Sequence, residues 1–265
     1  MNIFWREMKA NRQSLIIWCV AVLAMVASGM SKYSAASVSG QSMNELIAQM
    51  PKSIQTILGT GTFDLAKASG FYGVLFLYLV VMATIHAAML GATIIAKEER
   101  DKTAEFLFAK PASRAGIVTA KLAAALVNLV LFNLVTLVSS LVVVGHFSKG
   151  EQVNAAIFRL MLGMFILQIT YLVLGTSIAA ISKKPKTAVS VATGILLITF
   201  FLSMLIDLSS KVNFLQYLTP FKYYEAKSLM YSGGFQAIFL VLSALTVAVL
   251  LGVTYTFYNR KDMNI

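Results

Sequence analysis

A polar segment at positions 96–114, AKEERDKTAEFLFAKPASR, lies between two long apolar runs at 71–95 and 117–144. Lys97 and Asp101 are four residues apart, and so are Glu98 and Lys102, which is the spacing at which side chains meet on one helix face. The pattern predicts a charged helix held between two apolar helices. Its charged side chains can form ion pairs with another protein, which indicates that the segment binds a partner.

The same segment contains apolar positions and a helix boundary. Ala104, Leu107 and Phe108 would form an apolar strip beside the charges, as on the surface of a docking helix. Pro111 cannot continue the helix, and Ser113 is placed to cap the next one. The alternative is an ordinary loop whose charges only anchor the ends of the two flanking helices.

Other residue types that perform chemistry do not form a catalytic pattern. The sequence has no Gly-x-x-x-x-Gly-Lys-Ser/Thr phosphate loop and no Gly-x-Ser-x-Gly motif. The pair Glu98-Glu99 begins a Glu-Glu-x-x-x-Arg protease pattern, but position 103 is Thr103. The two histidines, His86 and His146, lack metal-ligand spacing around them. We therefore expect neither an enzyme nor a cofactor bound by this chain.

One histidine falls inside an apolar run. An ionisable residue at membrane depth is a functional candidate, so His86 is a possible pathway residue, although a hydrogen-bonded packing role is the alternative. Other polar residues in apolar runs could line a path with it: Asn128, Asn133, Gln168 and Tyr171.

Positions 95–121, IAKEERDKTAEFLFAKPASRAGIVTAK, resemble the signature of the ABC-2 type permeases, the membrane subunits of one class of ATP-binding-cassette exporters. The matching residues are Glu98, Glu99, Thr103, Glu105, Leu107, Pro111, Ser113, Arg114 and Lys121. The chain departs from the pattern at Lys102, where a Gly usually precedes the Thr, and at Phe108, where Leu is commoner. The layout of the whole chain also fits the family.

This resemblance implies a permease subunit, residues 1–265 forming a single transmembrane domain, that pairs with a second permease subunit, identical or different, and with two ATPase subunits. ATP and Mg²⁺ would be bound by the ATPase subunits. The helices at 96–110 and 1–13 would act as levers that ATP-driven closure moves. The expected ATPase-coupling residues are Lys97, Glu98, Glu99, Arg100, Lys102, Leu107, Phe108 and Arg114.

Composition sets the class of protein. The chain is 58% hydrophobic, only 12% charged, and has a mean hydropathy of +0.77, which indicates an integral membrane protein. Its net charge of +11 follows from the positive-inside rule, and basic clusters with interleaved aromatic residues are missing, so nucleic acid binding is excluded. The single Cys19 has no partner for a disulfide and is expected to be a packing residue.

The predicted fold class is all-α, with six transmembrane helices, an N-terminal interfacial helix, a cytoplasmic coupling helix and short external helices. A bilayer core of ~30 Å needs about 20 apolar helical residues, which places the spans at 14–30, 71–95, 117–144, 160–181, 188–205 and 235–258. Positions 1–13, with Trp5 among basic residues, predict the interfacial helix. A signal peptide is the alternative, but five further spans favour a retained first span.

Charge predicts which side each end occupies. Six spans put both termini on one side, and assigning them to the cytoplasm of a plasma-membrane protein puts 14 of the 22 basic residues there. They are Arg6, Lys9, Arg12, Lys97, Arg100, Lys102, Lys110, Arg114, Lys121, Lys183, Lys184, Lys186, Arg260 and Lys261.

Two external regions are predicted to hold short helices. Ser42 and Glu45 have capping-box spacing before an amphipathic pattern that Pro51 interrupts, and a further turn ends near Gly59. These helices either cap a transport path or simply pack over the bundle. Positions 215–234 predict a short re-entrant or interfacial helix, with Tyr223, Tyr224 and Tyr231 at the water boundary.

The second span has Ala83, Ala87 and Gly91 at four-residue spacing, which predicts a face packed closely against another helix.

Two functions other than that of an exporter permease remain open. An ion-coupled secondary transporter or channel would need no ATPase, but the sequence offers few ionisable residues at membrane depth and lacks evident two-fold repetition. The second is a membrane anchor or sensor subunit that does not transport a substrate.

Overall fold

The computed structural model describes residues 2–38, 43–60, 63–103, 113–148, 150–231 and 234–261. Within these ranges the chain is helical without β-strands, and six helices are long and apolar enough to cross a membrane. The α-helices are α1 (Ile3–Val38), α2 (Met43–Ala48), α3 (Lys52–Ile57), α4 (Ala68–Arg100), α5 (Arg114–Phe147), α6 (Asn154–Ile181), α7 (Ala188–Leu208), α8 (Ala226–Tyr231) and α9 (Ala237–Arg260). The prediction of six apolar spans is confirmed.

The first helix differs from its prediction. Positions 1–13 were expected to form a separate interfacial helix, but α1 runs without a break from Ile3 to Val38. The physical reason is that the junction, ANRQSLII, contains no Gly or Pro that would interrupt helical hydrogen bonds. The N-terminal charges therefore belong to the first turns of a long helix that continues into the first span.

Helices α4 and α6 form the centre of the bundle and make its most extensive helix–helix contact. The predicted small-residue face is confirmed, since Ala83 and Ala87 are fully buried. A Cβ atom on Gly91 would lie 2.1 Å from the backbone oxygen of Leu172, and one on Gly175 would lie 2.4 Å from that of Ala88. The two backbones touch, which only glycine permits.

The outer helices surround this pair. Helices α1, α7 and α9 bury few of their side chains within the chain, and their large exposed residues are apolar, as expected for surfaces that face lipid or another membrane subunit. Hydroxyl groups join neighbouring helices at several depths: Tyr72 donates to Ser140 at 2.6 Å, Tyr171 lies 2.7 Å from Thr199, and Thr176 lies 3.1 Å from Thr254. Such bonds help hold helices together where lipid provides little hydrophobic drive.

The short helices lie at the end of the bundle away from the chain termini. The predicted pair is present as α2 and α3, and the turn after α3 contains Gly59 with φ +70°. Ser42 lies outside the described residues, so its capping role stays a prediction. Beyond α7 the chain forms 3₁₀ turns at Ser210–Leu218 and Pro220–Lys222 before α8.

The tyrosines of this region differ from expectation. Tyr231 is exposed as predicted, but Tyr223 and Tyr224 are buried. The ring of Tyr223 stacks on Phe239 with centroids 4.8 Å apart, and the Tyr224 hydroxyl lies 2.8 Å from that of Ser243. The prediction of a water-boundary position for these two is wrong because their rings pack under α9 and their hydroxyls have protein partners.

Candidate coupling site

Charged side chains are buried at the end of the bundle that carries both chain termini. Glu7 in α1 and Lys121 in α5 are fully buried, and Glu98 in the last turn of α4 is 5% exposed. Arg6 and Lys97 flank them with partly buried side chains. Three helices therefore contribute to one cluster of ionised groups, which we call the charge network.

The bonds inside the charge network connect each carboxylate to cations from other helices. Lys121 Nζ donates to Glu98 Oε2 and to the Ile94 carbonyl oxygen. Arg6 Nη2 donates to Glu98 Oε1 at 2.7 Å and to Glu7 Oε1 at 3.1 Å. Lys97 Nζ donates to Glu7 Oε2. Three cations thus surround two carboxylates, and the ends of α1, α4 and α5 are linked.

A second set of contacts attaches the C-terminal end to the same helices. Lys261 Nζ lies 2.6 Å from Glu99 Oε2 and donates to the Ala179 carbonyl oxygen at 3.2 Å. Arg114 Nη1 donates to the carbonyl oxygens of Asn259, at 3.0 Å, and Lys261, at 2.8 Å. The end of α9 is therefore connected with α4, α5 and α6.

The predicted charged helix at 96–110 does not continue unbroken from the second span, and its positions 104–110 lie outside the described residues. Helix α4 ends at Arg100, and the amide of Thr103 donates to the Glu98 carbonyl at 2.8 Å while that of Lys102 donates to Glu99 at 3.4 Å. This pattern is a Schellman motif, with Lys102 at φ +55° in the position that favours glycine. The sequence departs from the ABC-2 pattern at this same position.

The predicted pairing of charges along the helix is wrong in detail. Lys97 pairs with Glu7 instead of Asp101, and Glu98 pairs with Arg6 and Lys121 instead of Lys102. Lys102 lies beyond the end of α4 at φ +55°, so it is off the helix face of Glu98. Asp101 is still one helical turn from Lys97, but the Lys97 ammonium group binds the buried Glu7 carboxylate instead. The cap predicted at Ser113 is confirmed, because its Oγ accepts from the Gly116 amide at 3.1 Å.

A small group of charges remains at the surface beside the charge network. Arg100, Asp101, Lys102 and Thr103 are exposed. Arg100 Nε donates to Asp101 Oδ1 at 2.9 Å, and this hydrogen bond lowers the pKa of the Asp101 carboxyl below its usual value. We call these four residues the exposed turn. Leu107 and Phe108 lie outside the described residues, so their apolar contact role stays a prediction.

The expected coupling residues therefore divide into two groups. Glu98, Glu99 and Lys97 form ion pairs that join α4 to other helices, whereas Lys102 and the Arg100–Asp101 pair lie at the surface. Removing one partner of a buried ion pair costs about 3–5 kcal/mol. The arrangement can hold four helix ends in fixed positions relative to one another while a partner contacts the exposed turn. The ATPase-contact role of all these residues stays a prediction.

Sequence reasoning did not single out Glu7, and it identified Lys121 only as a family match. The sequence does contain a pattern that indicates both residues. A lysine four residues inside a predicted apolar run must be paired with an acidic group. Glu7 is the only acidic residue among the first 44, so it was a natural partner at the same end.

The candidate pathway residues have separate contacts within the described part of the chain. His86 is buried between Trp18 and Phe132, whose ring centroids lie 5.5 and 5.1 Å away. Asn133 Nδ2 donates to Gln168 Oε1, which joins α5 and α6. The hydroxyl groups of Tyr171 and Thr199 share a hydrogen bond in which either can be the donor. Asn128 Nδ2 donates to the Ala124 carbonyl oxygen at 2.8 Å. Their pathway role stays a prediction, with packing and helix pairing as their structural roles.

Comparisons with known proteins agree with the arrangement of spans and with the resemblance found in the 95–121 segment. A family model described as ABC-2 family transporter protein matches residues 1–263. A search of curated proteins gives no match to the chain. Because the family model spans nearly the whole sequence, from the charges of α1 to the end of α9, the chain belongs to the ABC-2 transporter family of membrane proteins.

Proposed function

We propose that the chain is the permease subunit of an ATP-driven exporter and that a separate ATPase subunit, which binds ATP and Mg²⁺, contacts it at the exposed turn. The observation that carries the proposal is the charge network, which links the ends of α1, α4 and α5 directly beside the exposed turn. A second permease subunit, identical or different, and two ATPase subunits complete the exporter.

The coupling follows from the contacts within the chain. A partner that moves the exposed turn moves the end of α4, because the Schellman motif connects the two through backbone hydrogen bonds. Through Glu98 and Glu99 the displacement reaches α1, α5 and α9. ATP-driven closure of the ATPase pair would thus tilt several spans together and open the interface between the permease subunits outward.

The orientation in the membrane is part of the proposal. The network and both described chain ends lie at one end of the bundle, together with the basic residues of the 183–186 turn, and an excess of Lys and Arg is typical of cytoplasmic loops. This end therefore faces the cytoplasm, where an ATPase finds ATP, and α2, α3 and α8 face the outside of the plasma membrane.

The test is co-purification of the tagged chain in a mild detergent, with mass spectrometry of the proteins recovered. The charge reversals Arg100→Glu and Lys102→Glu, made together, should remove most of the ATPase from the eluate, because both side chains are exposed and the reversals invert the basic charge of the proposed contact surface. The matched control is Lys32→Glu with Lys211→Glu, two exposed lysines at the other end of the bundle.

Recovery of an ATPase with the unmodified chain and the control, but not with the reversed exposed turn, supports the proposal. A further variant, Glu99→Gln, should keep the ATPase in the complex and lower its ATP hydrolysis, since the bond to Lys261 is weakened while the exposed turn is unchanged. A chain recovered without an ATPase that moves solute across ATP-free vesicles would instead establish the secondary transporter.

A further inference from the structure

A cavity of about 510 Å³ opens at the end of the bundle opposite the charge network. Its α4 residues lie between Gly73 and Val80, whereas the network begins at Lys97, about 25 Å further along the helix at 1.5 Å per residue. Pockets of this volume accommodate small organic ligands. The cavity is therefore distinct from the coupling site.

The floor of the cavity is apolar. It is lined by buried rings and aliphatic side chains from α4, α7 and the turn before α8: Phe76, Leu77, Val80, Met204, Phe221 and Tyr224. Phe76 and Tyr224 are almost completely buried in the rest of the bundle, so the walls are held in place. A hydrocarbon or aromatic body would lose contact with water on entering this space.

The rim of the cavity is charged. Lys52 from α3 and Lys227 from α8 line it as exposed side chains, and Asp207 and Glu225 line it as well. Both carboxylates accept from Lys222 Nζ, which lies in a smaller adjoining pocket. The lining itself holds two lysines and two carboxylates. Because Lys222 binds both carboxylates from the adjoining pocket, the three lysines and two carboxylates together leave an excess of positive charge.

Burial also acts against the charge of one of the two carboxylates, Glu225. Burial raises the pKa of Glu225 above its usual value, against the opposing effect of Lys222. Neither Lys52 nor Lys227 forms a close ion pair among the described residues, although the charge of Lys227 acts on Glu225 at longer range, and their flexible side chains can reach over the opening. The charges at the rim thus favour an anionic group over a cationic one.

We infer that this cavity binds an amphipathic organic acid, with the apolar body in the floor formed by α4 and α7 and the acidic group between Lys52 and Lys227. The cavity and its rim carry this inference, which holds whether or not the chain works with an ATPase. Either a membrane phospholipid or a free acid would supply this chemistry.

The test uses the full chain, without any ATPase, in nanodiscs of phosphatidylcholine. The probe is a dansyl-labelled medium-chain fatty acid, and the comparison probe is its methyl ester, which has the same apolar body without the charge. Binding is measured as a saturable increase in dansyl fluorescence. The acid should bind about tenfold more tightly than the ester, because two exposed ion pairs contribute only modestly to the binding free energy. Equal affinity of the two probes would overturn the inference.

Two kinds of variant locate the site. Lys52→Gln with Lys227→Gln should weaken the acid about tenfold and leave the ester unchanged, whereas Lys211→Gln, an exposed lysine that does not line the cavity, should change neither. Leu77→Trp fills the floor and should abolish binding of both probes. Acid binding that survives both the lysine and the tryptophan variants would overturn the inference. The lysine variants are at the surface and leave the fold intact even where Leu77→Trp does not.

The source of the ligand is distinguished by repeating the titration in nanodiscs that contain phosphatidylglycerol. Competition, seen as weaker acid binding in these discs, supports the inference and identifies an anionic phospholipid as an occupant. Unchanged acid binding, still dependent on the two lysines, supports it and identifies a free amphipathic acid.

Discussion

Replacing Glu98 by Gln should destabilise the chain more than replacing its partner Lys121 by Met. In the charge network three cations surround two carboxylates. Glu98→Gln leaves three cations with only Glu7, whereas Lys121→Met leaves two cations and two carboxylates, with Arg6 still 2.7 Å from Glu98. Breaking a buried pair costs about 3–5 kcal/mol, so we expect a loss of about 4 kcal/mol for Glu98→Gln. Because Glu98 keeps its bond to Arg6 when Lys121 is replaced, the loss for Lys121→Met should be smaller, about 2 kcal/mol.

The double variant separates the pair from its surroundings. With both charges removed, neither is left buried without a partner, so the loss should be no more than about 3 kcal/mol and the coupling energy about 3 kcal/mol. The measurement is the free energy of unfolding in mixed micelles, from reversible titration with SDS followed by circular dichroism. These four proteins complete a double-mutant cycle.

The matched control is the exposed pair one turn further along the chain. Arg100 and Asp101 are about half exposed, with side-chain exposures of 41% and 50%. The same cycle made with Arg100→Gln and Asp101→Asn should give a coupling energy under about 1 kcal/mol. Additive losses at Glu98 and Lys121, or equal coupling in the two cycles, would refute the view that a buried network links these helix ends.

Two further predictions concern the backbone. Lys102→Gly should raise the free energy of unfolding by about 1 kcal/mol in the same titration, because φ +55° is strained for lysine and not for glycine. A lower free energy of unfolding in this variant would contradict the described end of α4. Gly91→Ala should lower the free energy of unfolding by about 3 kcal/mol, since the new Cβ would lie 2.1 Å from the Leu172 backbone. Gly252 has open space around it, so Gly252→Ala should be neutral or slightly stabilising. Similar effects at both glycines would argue against close packing of α4 and α6.

Much of the fold follows from apolar run length and small-residue spacing. The six spans, the cap at Ser113 and the buried face of Ala83, Ala87 and Gly91 are all local or periodic properties of the sequence, and the structure has them. The continuous α1 was missed because a change from polar to apolar composition was taken as a change of element. Composition alone does not break a helix that lacks Gly and Pro.

The charge network could be predicted only in part. Spacing along one helix favoured the pairs Lys97 with Asp101 and Glu98 with Lys102, but the actual partners are about 90 residues away, at Arg6 and Glu7, or on the next helix, at Lys121. Partners so distant in sequence depend on how helices are arranged in space, which local patterns do not contain. The tyrosines at 223 and 224 were misplaced for the same reason, since α9 covers them.

The contacts of Glu99 and Arg114 with the end of α9 have a consequence for how the protein is made. Glu7 has only its neighbour Arg6 as a partner until α4 and α5 supply Lys97 and Lys121, and Glu99 lacks Lys261 until α9 has been synthesised. Each carboxylate therefore passes through biogenesis without its full set of partners. Their location at helix ends, within reach of water, lets the nascent chain keep them hydrated until the last helix arrives and the two ends of the chain are fastened to the same place.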